Sequence, residues 1–160
     1  MEERISVIQT IGYQNLKFID FIKILQERGV RLVIDVRNNP FSFKKGFSKK
    51  WLSTHLPEYN IEYINIPELG IPSKDRKELT GSSLWNKYKE LLIMNAVQLQ
   101  KAADIIQKQA AVLMCFEAHP AECHRSRLAE KLNEITGLPV THYNQVSNTW
   151  SECRKEFSSP

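Results

Sequence analysis

The stretch RLVIDVRNNPFS, residues 31–42, decides how the rest of the chain is read. Leu32, Val33 and Ile34 follow one another without a polar break, and Val36 continues the run past Asp35. A strand with one wet face alternates apolar and polar residues, whereas a strand covered by helices on both faces is apolar throughout. Residues 31–37 are therefore predicted to form a central parallel strand, which Asn38-Asn39-Pro40 ends.

Working towards the start of the chain, ISVIQTI at 5–11 is a β-branched run closed by Gly12. Asn15 can cap the following LKFIDFIKILQERG, residues 16–29, where Leu16, Ile19, Ile22 and Phe18, Phe21, Leu25 recur three and four apart. That is a strand and then a helix, with Gly29 as its stop. In the other direction, Ser48 can cap a short helix through KKWLSTHLPEY, and IEYINI at 61–66 alternates as a third strand. Residues 68–83, ELGIPSKDRKELTGSS, have too little periodicity to assign, and loops of that length are often functional or mobile. Helical pattern resumes from Leu84 to Gln109 with a possible break near Asn95. AAVLMCFE at 110–117 is a fourth buried strand, CHRSRLAEKLNEITG at 123–137 an amphipathic helix, and PVTHY at 139–143 a last strand. Helices of about a dozen residues between buried strands predict a single-domain α/β three-layer sandwich over residues 1–145, with a mainly parallel sheet of about five strands. Residues 146–160 are expected to be a tail, helical or frayed.

The 160 residues, 42% hydrophobic and 25% charged, suit one well-formed core rather than two domains. No apolar run approaches the ~18 residues of a membrane span, and MEERISVIQTIG is no signal peptide, so no membrane partner is expected. Cys115, Cys123 and Cys153 are an odd number in a chain too large to need staples, which points to reduced thiols and a cytoplasmic location. The net charge of +4 is local: residues 37–50 carry Arg37, Lys44, Lys45, Lys49 and Lys50 without one acid.

In an open parallel sheet the ligand crevice lies beyond the carboxyl ends of the strands, where strand order reverses. Four loops should open there, at 12–15, 35–47, 67–81 and 117–123. In CFEAHPAECHR, residues 115–125, a helix beginning at Cys123 or His124 would turn its free N–H groups on an anion or on a Cys123 thiolate. His124 and Arg125 would add positive potential, and Glu117 could serve as general base. Against a phosphatase-like Cys123 stands Ala129, where that chemistry wants Arg six positions on; Cys123 as a small buried residue is the plainer alternative. Zinc is disfavoured because Cys115, His119, Cys123 and His124 lack the usual spacing. In the second loop, Asp35 could orient a hydroxyl or water while Arg37 presents a planar fork to phosphate or carboxylate, unless the two simply pair. Ser42, Lys44 and Lys45 could add donors, and FSFKKGFSKKW interleaves aromatic rings with lysines as stacked bases on a phosphate backbone require. No GxGxxG fingerprint or Walker sequence occurs, so no cofactor is expected.

TIGY at 10–13, DVRNNPFS at 35–42, ELGIP at 68–72 and CFEAHPAECHR at 115–125, in that order, resemble the domain of unknown function 488 family over most of residues 5–137. The resemblance carries over Thr10, Gly12, Asp35, Arg37, Pro40, Ser42, Leu69, Gly70, Cys115, Glu117, Cys123, His124 and Arg125. Tyr13 stands where many relatives have His, and Ile71 where a second Gly is common. The family name assigns no activity, so the resemblance marks a site and not a reaction. The expectation is an enzyme, a hydrolase or transferase, acting on an anionic, phosphate-bearing small molecule or nucleic acid. Glu117, Asp35 and Cys123 would be its catalytic candidates, with Arg37, Ser42, Lys44, Lys45, His124 and Arg125 binding substrate. The alternatives are a nucleic-acid binding module without turnover and a thiol redox or metal-sensing protein.

Overall fold

A computed structural model describes residues 7–120 and 124–152. Within them six strands form one sheet: β1 Ile8–Gly12, β2 Leu32–Asp35, β3 Glu62–Asn65, β4 Ala111–Cys115, β5 Val140–Asn144 and β6 Thr149–Glu152. Their order is β3-β2-β4-β1-β5-β6, and all neighbours run parallel except β5 and β6. The helices are α1 Phe18–Glu27, α2 Lys49–His55, α3 Ser73–Glu78, α4 Gly81–Met94, α5 Ala96–Lys108 and α6 His124–Thr136.

The α/β sandwich expected from the apolar run at 31–37 is present. Val33, Val112 and Met114 pack beneath α1 and α2 with Phe21, Leu25, Phe47 and Leu52. Leu32, Ile34, Val36 and Leu113 pack beneath α4, α5 and α6 with Tyr88, Leu92, Leu99, Ala103, Leu128 and Leu132. Both faces of β2 are thus covered, which is why its sequence does not alternate. The chain moves outward through β1, β2 and β3 under one layer of helices, then returns to β4 and continues to β5 under the other. The crossovers from β2 and β4, which are adjacent, leave in opposite directions, so the switch point falls between their carboxyl ends.

Local expectations mostly hold. Ser48 caps α2 by accepting the Trp51 N–H at 3.1 Å. The helical stretch after Leu84 breaks at Asn95 into α4 and α5. The unassigned segment 68–83 contains a 3-10 turn at Pro67–Leu69, the short α3 and the start of α4. Three expectations are corrected. Asn15 does not cap α1, which starts at Phe18 after Lys17 and has no side-chain cap. The first part of the tail is neither helical nor frayed: Asn144 accepts the N–H groups of Val146 and Ser147, Asn148 takes a left-handed turn (φ 55°), and β6 folds back on β5 with Trp150 against Tyr143. This hairpin is the sixth strand; residues 153–160 lie outside the described residues. The thiol expectation fails at Cys115, which is disulfide-bonded. Among the described residues no helix is long and apolar enough to cross a membrane.

Candidate functional site at the strand carboxyl ends

Of the buried polar side chains, Thr10, Asp35, Arg37, His124 and Arg125 gather at the carboxyl edge of the sheet. Pleat parity then separates them, because successive residues of a strand point to opposite faces. Asp35 and Arg37 share parity with Val33 and fall on the α1 and α2 face; Glu117 shares parity with Leu113 and Cys115 and falls with α4, α5 and α6. The single crevice expected from sequence is therefore two clusters on two faces.

On the α1 and α2 face, the fully buried Asp35 carboxylate holds Arg37 in a two-pronged pair, Nε to Oδ1 at 2.8 Å and Nη2 to Oδ2 at 2.7 Å. The Arg37 backbone N–H adds a third bond and Tyr63 donates its hydroxyl to Oδ2. The remaining Arg37 nitrogen, Nη1, donates to Tyr13 at 2.8 Å, and the Tyr13 ring stacks on Phe47 at 4.4 Å. Burial alone would lower the Arg37 pKa, but the bonds and charge of Asp35 hold it above its ordinary value. Burial and Asp35 together raise that of Tyr63. Each nitrogen of this fork already donates to a protein partner, so Arg37 serves the scaffold first. Ser42 likewise accepts the Lys44 N–H in a local turn.

Arg125 is also engaged. Its fully buried guanidinium donates to Thr10 Oγ1 at 3.0 Å, to Cys115 Sγ and to the carbonyls of Glu117 and Ala118. It ties β1, β4 and the loop after β4 together from the first turn of α6. Burial pushes its pKa down to about 10, against the opposing pull of Glu117. Thr10, accepting from Arg125, can donate its own hydroxyl in a hydrogen bond to His142 Nδ1, and burial plus Arg125 lowers His142 to about 4.

The other face holds a pocket of about 300 Å³ lined by Ile71, Arg76, Leu79, Thr80, Gly81, Leu84, Trp85, Glu117 and His124. His124 is buried at its wall. Since the Val36 carbonyl 3.0 Å from Nε2 can only accept, Nε2 carries the proton and Nδ1 turns towards Arg76. Burial, with Arg76 and Arg125 nearby, lowers the His124 pKa to about 3, so the ring is neutral at pH 7. Arg76 donates to Glu117 Oε1 at 3.1 Å, while Glu117 Oε2 is buried and has no hydrogen-bond partner among the described residues. Thr80 supplies no side-chain cap to α4, leaving that helix start without its usual acceptor. A larger hollow, lined by Arg31, Pro57, Asn60, Ile61, Glu62 and Gln109, lies at the amino-terminal edge, away from the switch point.

The family described as Domain of unknown function DUF488 matches residues 17–132, which take in every residue lining the pocket beside Glu117. The chain belongs to that family. No curated protein and no solved structure matches it. The motifs of this DUF488 domain have distinct duties. Gly70 packs against the chain after β2, and a Cβ there would strike the Asn38 nitrogen and the Val36 carbonyl. Tyr88 secures the same turn by donating to the Leu69 carbonyl at 2.6 Å. Gly12 does the equivalent for β4: a Cβ would run into the Glu117 carbonyl and the Arg125 guanidinium. Both glycines are demanded by close approach of one loop to another, and both set the walls of the pocket. Of the residues singled out from sequence, Glu117 and His124 reach it, while Asp35 and Arg37 do not. Arg125 braces it from behind, and Cys123 lies outside the described residues. Arg76 and Trp85 were missed, because nothing in residues 68–85 but their place after β3 marks them.

Proposed function

We propose that this DUF488 domain is an enzyme, a hydrolase or transferase, whose site is the pocket beside Glu117 and whose substrate is a phosphate-bearing small molecule with an apolar or planar portion. The observation that carries the proposal is the unpartnered Glu117 Oε2. A buried polar atom without a partner costs on the order of 1–3 kcal/mol, and of the three such atoms among the described residues, Trp51 Nε1, Glu117 Oε2 and Thr141 Oγ1, that of Glu117 belongs to a residue lining the pocket. Arg76 supplies the cation in place of Arg37 and Arg125. Its pair with Glu117 is partly open to water, Arg76 being 43% exposed, and such pairs are worth about 0–1 kcal/mol. Little is therefore lost when Arg76 turns from Glu117 Oε1 to an incoming phosphate, whereas releasing Arg37 from Asp35 would break a buried pair at about 3–5 kcal/mol.

Thr80 and Gly81 at the start of α4 line the same pocket, where first-turn N–H groups would favour an anion, and Leu84, Trp85, Ile71 and Leu79 offer the apolar surface for a ring. In this reading Glu117 takes the proton of a water or acceptor hydroxyl as its oxygen attacks phosphorus. The bond to the leaving oxygen breaks, that oxygen keeps the electron pair, and it is protonated from solvent.

The test uses p-nitrophenyl phosphate, bis-p-nitrophenyl phosphate and nucleoside monophosphates, with release of nitrophenolate or phosphate as the readout. Glu117→Gln should abolish turnover of whichever compound is cleaved while AMP binding persists. Binding without turnover of any compound would favour the module without catalysis.

A further inference from the structure

The loop between β2 and α2 carries three phenylalanines with different fates. Phe47 is fully buried, packed on Tyr13, Phe18 and Phe21, and anchors the loop to the core. Phe41 and Phe43 stay outside, 61% and 95% exposed, with their ring centroids 4.8 Å apart and nearly perpendicular. A single exposed apolar residue is ordinary, but two adjacent rings held out of an available core are not. The loop is built rather than loose: Ser42 accepts the Lys44 N–H, Phe47 N–H donates to the Lys44 carbonyl, and Lys49 N–H donates to the Pro40 carbonyl. The same loop and the start of α2 carry Lys44, Lys45, Lys49 and Lys50, of which Lys45, Lys49 and Lys50 are exposed, and residues 37–50 contain no acid.

We infer that residues 41–50 are a binding surface for single-stranded nucleic acid, with Phe41 and Phe43 stacking on unpaired bases and the four lysines meeting the phosphate backbone. The charge fixes the sign of the partner, since a segment of cations without acids is complementary to a polyanion. The rings fix its kind: a duplex keeps its base faces stacked on each other, whereas a single strand offers them to aromatic side chains. A lipid surface is the lesser fit, because no exposed aliphatic side chain lies in residues 41–50 to extend the apolar area beyond two rings. The surface lies on the α1 and α2 side of the sheet and the Glu117 pocket on the other, so this inference stands whether or not the pocket turns over a substrate.

The test is fluorescence anisotropy with a labelled single-stranded DNA of about 20 nucleotides, a duplex of the same sequence, and salt varied from about 50 to 200 mM. The single strand should bind more tightly than the duplex, with log K falling against log salt at a slope of about −2 to −3 if all four lysines meet phosphates. Phe43→Ala should weaken binding roughly tenfold, and Lys44→Gln with Lys45→Gln should flatten the slope by about 1.4. Because Phe43 and Lys45 are exposed, the melting temperature should hold in these variants. Three results would overturn the inference: no binding at the lowest salt, equal affinity for duplex with Phe41→Ala/Phe43→Ala unchanged, or binding confined to phosphatidylserine–phosphatidylcholine vesicles and lost in that double variant.

Discussion

Replacing Asp35 by Ala removes the carboxylate that accepts two side-chain bonds and one backbone bond from Arg37 and the hydroxyl of Tyr63. Arg37, only 6% exposed, is left with Tyr13 as the described hydrogen-bond partner of its guanidinium and with little contact with water. Removing one partner of a buried pair costs about 3–5 kcal/mol, most of it the isolated charge left behind. With a urea m value of about 2 kcal/mol/M for a domain of this size, the unfolding midpoint should fall by about 2 M. Arg37→Ala should also destabilise, by leaving the buried carboxylate without its cation while the Tyr63 hydroxyl and the residue-37 backbone N–H still reach it. The double variant should cost clearly less than the two together, because neither charge then remains. Replacing the pair by Asp35→Val/Arg37→Met should recover most of the stability and leave any turnover in the Glu117 pocket unchanged. Urea unfolding followed by tryptophan fluorescence reads all four variants. A midpoint shift below about 0.5 M for Asp35→Ala, or strict additivity in the cycle, would refute a structural role for the pair.

Gly12→Ala should destabilise by about 1–3 kcal/mol through collision with the Glu117 carbonyl, and should lower turnover about 100-fold by displacing Glu117; thermal melts and kinetics check both effects. Acid should destabilise the fold from below pH 6.5. The unfolded chain protonates its histidines near that value, whereas folded His124 and His142 resist until about 3 and 4, so the unfolded state binds more protons. Between pH 7 and 5 the two contribute a loss of up to about 4 kcal/mol, and a flat urea midpoint across that range would contradict it. Arg76→Gln should change stability by less than about 1 kcal/mol, yet weaken AMP binding at least tenfold in titration calorimetry.

The sheet was legible because burial on both faces writes itself into a run such as Leu32-Val33-Ile34, and a helix needs a face as regular as that of residues 16–29. The hairpin at Asn144–Glu152 was not legible: four residues at a sheet edge have no required pattern, and only Asn148 in its left-handed turn betrays it. For the candidate site, topology correctly drew Glu117 and His124 to one edge. It could not show which face each residue takes once a strand ends, and that decides the separation of Asp35 from Glu117. Arg37 and Arg125 look in sequence like anion holders. Only the positions of Thr10, Tyr13 and two carbonyls show that their donors are used within the protein. Arg76 sits in a stretch with no periodicity, so its arrival beside Glu117 depends on a tertiary path that no local pattern encodes.

The walls of the pocket differ in how firmly they are rooted. Arg125 fastens the loop bearing Glu117 to two strands through a guanidinium whose departure would leave Thr10 Oγ1 and the carbonyls of Glu117 and Ala118 without their donor, and Gly12 lets that loop lie flush on β1. The facing wall is α3, six residues that bury no side chain, followed by the uncapped start of α4. Breathing of the pocket therefore belongs to residues 73–81, whose amides should exchange with deuterium well before those of β4. For the proposed substrate, the way in would then lie at this rim, while the carboxylate stays on the firmer wall.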